Sequence, residues 1–255
     1  MTADLARARD LLEAARRIVV LTGAGISAES GVPTFRGVSG LWKSFRPEEL
    51  ATPEAFARDP RLVWEWYAWR RTLVTGCNPN DGHRALARLA LDKKGTTLVT
   101  QNVDGLHHRA ARDEAGGRDP TNAYPLEVHG AIHRDRCASC GTVSDGRLDI
   151  DSTSVDALPR CAGCDGMLRP DVVWFGETLD PAVIGAAFDA ARESDVCLVV
   201  GTSAIVHPAA SVPLATLRNG GQLIEVNPEE TPLTADAAVS IRGAAGEILP
   251  SVVGH

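Results

Sequence analysis

The most specific chemistry in the chain lies in four cysteines. Cys137, Cys140, Cys161 and Cys164 form two C-x2-C pairs with 20 residues between them. Two knuckles of two thiolates each supply the soft tetrahedral ligands that Zn²⁺ requires, at this spacing. Two disulfides would be the alternative use, but they suit an oxidising compartment. The remaining cysteines, Cys77 and Cys197, stand alone, which fits a reducing one. Four protein ligands leave no open coordination position, so the ion would hold structure and the reaction must take place elsewhere.

A second candidate site opens with Thr22-Gly23-Ala24-Gly25-Ile26-Ser27-Ala28, which reads G-x-G-x-x-A directly after an apolar run. In that pattern Gly23 permits a tight turn, Gly25 lets backbone approach a pyrophosphate, and the following helix offers amides to negative charge. An ordinary glycine turn would look the same. No acidic residue ends a clear second strand about 20 residues on, where hydride-transferring enzymes grip a ribose. Three more polar sets follow apolar runs: Gln101-Asn102-Val103-Asp104, Gly201-Thr202-Ser203 and Asn227-Pro228-Glu229. Each could be a plain turn; together, at the carboxyl ends of buried strands, they describe the rim of a nucleotide crevice. His129, in Leu126-Glu127-Val128-His129-Gly130, carries an imidazole that can accept a hydroxyl proton near neutral pH.

The elements that must position these groups alternate in type. Ile18–Leu21, Thr97–Val99, Val196–Val200 and Leu223–Val226 read as buried strands, with helices over Ala3–Arg17, Arg84–Leu91, Ala182–Arg192 and Ala209–Arg218. This rhythm predicts an α/β fold: a parallel sheet with helices on both faces. Two stretches interrupt it, an aromatic-rich helical segment over residues 46–75 and the cysteine-bearing segment 133–170. They predict a small domain inserted into a large one made of residues 1–45, 76–132 and 171–255.

A net charge of −7 and the absence of basic runs argue against a nucleic-acid surface, and no apolar run is long enough to span a membrane. The mixed charges of Ala3–Arg17 fit neither an export signal nor a mitochondrial presequence, so a cytoplasmic setting is expected.

The run from Gly23 to Arg36, the Gln101-Asn102-Val103-Asp104 and Val128-His129-Gly130 sets, the cysteine pairs and Gly201-Thr202-Ser203 together resemble the sirtuins, NAD-dependent protein deacylases. The motifs occur in that family's order from about Ile18 onward. The resemblance implies a Rossmann-like large domain, a small domain of zinc ribbon and helical module, and an acyl-lysine tunnel between them. It implies that Gly23, Ala24, Gly25, Ser27 and Glu29 face the cofactor phosphates, with Phe35 and Arg36 in the cofactor loop. Gln101, Asn102 and Asp104 would meet nicotinamide and its ribose. Gly201, Thr202, Ser203, Asn227 and Glu229 would line the adenosine side, with Ala245 at the adenine. Val173, Trp174, Phe175 and Gly176 would pair with the substrate peptide, although Val172 and Val173 read equally well as core strand.

In the mechanism this resemblance implies, the acyl-lysine carbonyl oxygen attacks C1′ of the nicotinamide ribose and nicotinamide leaves. His129, served by Asn102 and Asp104, is then the general base on the ribose hydroxyls. The products are free lysine and 2′-O-acyl-ADP-ribose, so NAD is consumed. Tyr67 and Arg70, three apart on one helical face, read as a solvated aromatic surface by themselves. At this place they resemble the class III sirtuins, whose Tyr-x-x-Arg pair recognises acidic acyl groups, which implies desuccinylase and demalonylase activity beside deacetylation. Mono-ADP-ribosyl transfer and an NAD-responsive binding module are the competing readings.

Overall fold

The computed structural model describes residues 2–33 and 45–254. Its frame is a six-stranded parallel sheet in the order β3-β2-β1-β7-β8-β9. The strands are β1 (Ile18–Thr22), β2 (Thr96–Thr100), β3 (Leu126–Glu127), β7 (Val196–Val200), β8 (Gln222–Val226) and β9 (Val239–Ile241). This is the 3-2-1-4-5-6 order of the dinucleotide-binding sheet, with its reversal between β1 and β7. Those two strands pair in register, Ile18 with Val196 through Thr22 with Val200.

Period-two alternation sends the apolar residues of each strand to opposite faces, and both faces are covered. Ile18, Val20, Leu98, Leu198 and Ile224 share a core with α1 (Thr2–Ala14), α6 (Asp81–Asp92) and α10 (Ala245–Val253). Val19, Leu21, Val99, Cys197, Val199 and Leu223 pack on α8 (Pro181–Glu193) and α9 (Val212–Arg218). Capping fixes several helix starts: Asn80 accepts the amides of Gly82 and His83, and Asp180 those of Ala182 and Val183. The helix expected over Ala209–Arg218 is divided into a 3₁₀ turn, Ala209–Ser211, and α9, because Pro213 suits only a first turn.

A second core holds the two insertions. The helical one forms α3 (Pro47–Leu50), α4 (Pro53–Arg58) and α5 (Pro60–Gly76). The other forms β4 (Gly130–Cys137), β5 (Val143–Asp145) and β6 (Leu168–Val172), an antiparallel sheet in the order β5-β4-β6. Val63, Trp64, Trp66 and Tyr67 of α5 are buried against Ile132, Leu168 and Trp174.

A buried arginine binds the two insertions together. Arg71 of α5 has no solvent exposure and forms an ion pair with Asp135 of β4 at 2.6 Å. It also donates to the carbonyls of Ile132, Arg147 and Arg134, at 2.6, 2.7 and 3.0 Å. A guanidinium supplies that fan of donors from one rigid plane, which an ammonium cannot. Arg71→Met leaves the buried Asp135 without a counter-charge, with only the Arg147 amide beside it. We expect it to lower the unfolding free energy by about 3–5 kcal/mol. Denaturant titration checks this, and a loss under about 1 kcal/mol would show the clamp to be dispensable.

Candidate functional site

The sheet reversal places the Gly23–Gly25 turn and the Gly201 turn side by side at the carboxyl edge. Gly23 donates its amide to Val200 O at 3.0 Å and Gly25 to Gly201 O at 2.7 Å. A Cβ on Gly25 would stand 2.7 Å from Gly201 Cα, and one on Gly23 would stand 2.7 Å from Thr202 Cβ. The structure gives the two glycines a further physical reason. These glycines are required by the contact between two protein turns. The helix after them, α2 (Gly25–Ala28), is one turn long, and the amides of Gly25, Ile26 and Ser27 all bond within the protein. The turn is therefore built of small residues, with those three amides already engaged.

Asn102, Ser27 and Asp104 meet beneath this turn. Asn102 Nδ2 donates to Gly23 O and to Ser27 Oγ, each at 3.1 Å. Ser27 donates to Asp104 Oδ2 at 2.7 Å, and Leu106 N donates to Asp104 Oδ1 at 2.9 Å. Burial holds the Asp104 carboxyl above its ordinary range against those two donors. Gln101, half-buried, donates to Thr202 Oγ1 at 3.0 Å and so ties the β2 rim to the β7 rim. Ser203 continues that rim, half-buried, while Glu29 accepts the amide of Gly246 at 2.7 Å and Ala245 is buried at the start of α10.

Asn227 and Glu229 follow β8 at the far end, where Asn227 Nδ2 donates to Glu229 O at 2.8 Å. From the end of β2 to the end of β8 there are three strand spacings, about 14 Å, which accommodates two nucleosides joined by a pyrophosphate. Amide and hydroxyl side chains and the Asp104 carboxyl gather at the near end of that length, and the Asn227 amide and Glu229 at its far end. That donor set suits NAD, which supplies a ribose C1′ with nicotinamide as leaving group. Phe35 and Arg36 lie outside the described residues.

His129 stands at the junction of the two cores. Its Nδ1 is 2.9 Å from Gln101 O, so the neutral ring carries its proton on Nδ1 and keeps a lone pair on Nε2. Burial lowers its pKa against the support of that carbonyl. Its own carbonyl accepts from Val173 N at 2.9 Å, and Gly130, at φ +78°, passes so close to Asp171 O that a Cβ would stand 2.1 Å away. Val173, Trp174, Phe175 and Gly176 lie just beyond β6. Trp174 is buried, and Phe175 is 49% exposed.

The α5 face beside them carries the acyl-selectivity candidates. Tyr67 is buried, and its hydroxyl accepts from Trp174 Nε1 at 2.9 Å, which leaves the phenolic proton to donate elsewhere. Burial pushes the Tyr67 phenol up, so it stays protonated. Arg70 is half-buried, its guanidinium 4.9 Å from the Trp66 ring centroid and 5.6 Å from that of Tyr67.

The cysteine sulfurs all lie within 4.8 Å of one another. Cys137 and Cys164 are 3.5 Å apart and Cys140 and Cys161 are 3.8 Å apart. Tetrahedral Zn–S bonds of about 2.3 Å set sulfurs about 3.8 Å apart, so the cluster fits structural zinc. Both knuckles close alike: Gly141 N bonds Cys137 O at 3.0 Å and Asp165 N bonds Cys161 O at 2.9 Å. Gly141 and Asp165 are both left-handed there, at φ +75° and +57°.

Two buried histidines were not singled out in the sequence. His83 lies 3.3 Å from Ser27 Oγ, and His107 lies 3.0 Å from Thr22 Oγ1; their ring centroids are 4.8 Å apart. His83 falls in the apolar stripe of α6 with Leu86 and Ala90, the one signal that could have flagged it.

A parallel sheet with this strand order, a crevice across its reversal and a tetrathiolate module beside it define a nucleotide-using α/β enzyme of the sirtuin fold. The Sir2 family pattern matches residues 23–208. The NAD-dependent protein deacylase 2 of Pyrobaculum aerophilum is 50% identical over 244 residues, 96% of this chain and 92% of that protein. The crystal structure of a Sir2 homologue–NAD complex superposes with a TM-score of 0.85 at 46% identity, covering 97% of this chain and 92% of the other. A Sir2–p53 peptide–NAD⁺ complex superposes at 0.80 with 31% identity, covering 95% and 94%. The chain belongs to the Sir2 family.

The buried histidine pair has a consequence for acid stability. Burial lowers His83 from 6.5 to about 3 and His107 well below 6.5. A histidine whose folded pKa is depressed contributes stability in full above its unfolded pKa and loses it as pH falls. Stability should therefore drop from about pH 6.5 downward, with His83 contributing to the loss until about pH 3. Asp104, raised by burial, runs the other way, its contribution lost as pH rises from 3.8. Thermal melts at pH 7.5 and 5 should show a smaller acid loss in His83→Gln and His107→Gln than in wild type. An equal loss in all three would assign the effect to other groups.

Proposed function

We infer that this chain is an NAD-dependent protein-lysine deacylase that consumes NAD and releases nicotinamide, 2′-O-acyl-ADP-ribose and free lysine, and that it accepts succinyl and malonyl groups beside acetyl. Family membership and relatives named as NAD-dependent protein deacylases carry the first part. The Tyr67–Arg70 arrangement supports the second. A phenol that takes no acceptor among the described residues, beside a guanidinium lying over two aromatic rings, suits a carboxylate at two points.

Each remaining residue then has a part. His129 Nε2 accepts a hydroxyl proton in the cleft, its ring held by the Gln101 carbonyl. Asn102 and Asp104 orient the near end through Ser27. Gly23, Ala24, Gly25, Ser27 and Glu29 lie along the phosphate side, with Phe35 and Arg36 as further cofactor contacts. Gly201, Thr202, Ser203, Asn227, Glu229 and Ala245 lie on the adenosine side. Val173 to Gly176 offer backbone to an acyl-lysine peptide, the partner expected, with no specific nucleic acid or membrane. Among the described residues no helix is long and apolar enough to cross a membrane; a cytoplasmic setting is part of the proposal.

The experiment is a comparison of acetyl-, succinyl- and malonyl-lysine peptides with NAD on wild type and Arg70→Met. Losing the guanidinium should reduce kcat/KM on the two acidic acyl groups at least about tenfold and spare acetyl. Equal effects on all three would remove the acidic-acyl reading. Mass spectrometry finding ADP-ribose on protein, with no O-acyl-ADP-ribose, would favour the transferase instead.

The proton acceptor has its own signature. With the His129 pKa lowered by burial, kcat/KM should rise with pH through an acid limb below 6.5 and level off above it. His129→Ala should lose about 10²–10⁴-fold in rate. An acid limb above about pH 7 would point to another base.

A further inference from the structure

One acidic side chain lies where a parallel sheet has little use for a charge. Glu225 sits in β8 between Ile224 and Val226, and none of its side chain reaches solvent. It shares a face with Leu223, which packs among the α8 and α9 residues. A carboxylate there is unfavourable unless charge-assisted donors and a counter-charge compensate it.

Four donors converge on it, from the hydroxyls of Thr231, Thr234 and Ser240 and the guanidinium of Arg242. Thr234 stands at 2.7 Å, Ser240 at 2.8 Å and Arg242 at 3.2 Å. Every one of them comes after the strand. The same groups then fix the backbone that follows β8: Thr234 Oγ1 accepts Thr231 N at 2.9 Å, and Thr231 Oγ1 accepts Leu233 N at 3.1 Å. Arg242 Nη1 donates to Glu229 O at 2.7 Å, the carbonyl that also takes the Asn227 side chain at 2.8 Å. Pro228, Glu229 and Glu230 are exposed, so this loop is secured from below, through the buried carboxylate.

We infer that Glu225 is a positioning residue for NAD, its carboxylate holding the 227–234 loop in the shape that takes the adenosine half of the cofactor. The inference rests on the reading above that places Asn227 and Glu229 at that half. A loop ordered beforehand does not have to be ordered at the expense of binding. Glu225 acts at the opposite end of the crevice from His129, so its effect falls on cofactor binding and spares the chemical step.

Steady-state kinetics on wild type, Glu225→Gln and Asn227→Ala, with acyl peptide saturating and NAD varied, tests it. Glu225→Gln keeps the volume, removes the charge and takes from Arg242 its counter-charge. It should raise the KM for NAD about tenfold with kcat within about twofold. The KM for peptide should hold, and amide exchange should quicken in 227–238 but not in β1. A lower Tm and kcat with the NAD KM unchanged would make Glu225 a stabilising residue only and overturn the inference. If Asn227→Ala raises the KM and Glu225→Gln does not, the inference fails while the reading of the loop survives. If neither moves it, the reading fails and the inference with it. Should Glu225→Gln not fold, Thr234→Val and Ser240→Ala each remove one donor. Either should raise the NAD KM about two- to fivefold, and no rise in both overturns the proposal equally.

Discussion

The site depends on a single close approach. Two backbone turns touch across the carboxyl edge of the sheet, Gly25 N to Gly201 O at 2.7 Å, with no room for a Cβ on either side. That contact locks the ends of β1 and β7 together at the reversal of strand order, where the crevice opens. The surrounding polar groups take their positions from it: Asn102 reaches the carbonyl of Gly23, and Gln101 reaches Thr202. A side chain at either glycine would separate the turns and with them both halves of the crevice.

Much of this was legible in sequence because it rests on local rules. Apolar runs longer than a half-buried strand could use announced a sheet covered on both faces, and Ile18–Thr22 is buried at every residue. The cysteine pairs announced their cluster because a knuckle closes within five residues, as the Cys137–Gly141 and Cys161–Asp165 bonds show. Candidate rim residues were visible as polar breaks after strands.

What escaped was set by partners distant in sequence. His83 and Ser27 are 56 residues apart, and a place in an apolar stripe signals burial without naming the polar partner. Arg71 is by its sequence neighbours one more charge on an aromatic helix, and its burial follows only from the arrival of β4. Glu225 stands within an apolar run that gives no sign of how its charge is met, since its donors come from the residues after it. Gly23 and Gly25 follow a local pattern, but the second turn that fills the space beside them lies almost 180 residues on in the chain.

The Arg71 clamp also governs how this architecture can be recombined. Tyr67, Arg70 and Arg71 lie within five residues of one helix: Tyr67 bonds Trp174, Arg70 lies over the Trp66 and Tyr67 rings, and Arg71 is anchored in the backbone of β4. Rotation or translation of α5 to suit a different ligand would pull the clamp out of register with four fixed groups. The helical insert and the cysteine ribbon are thus separate in the chain but a single heritable unit. A chimera that transplants one without the other inherits a mismatched joint.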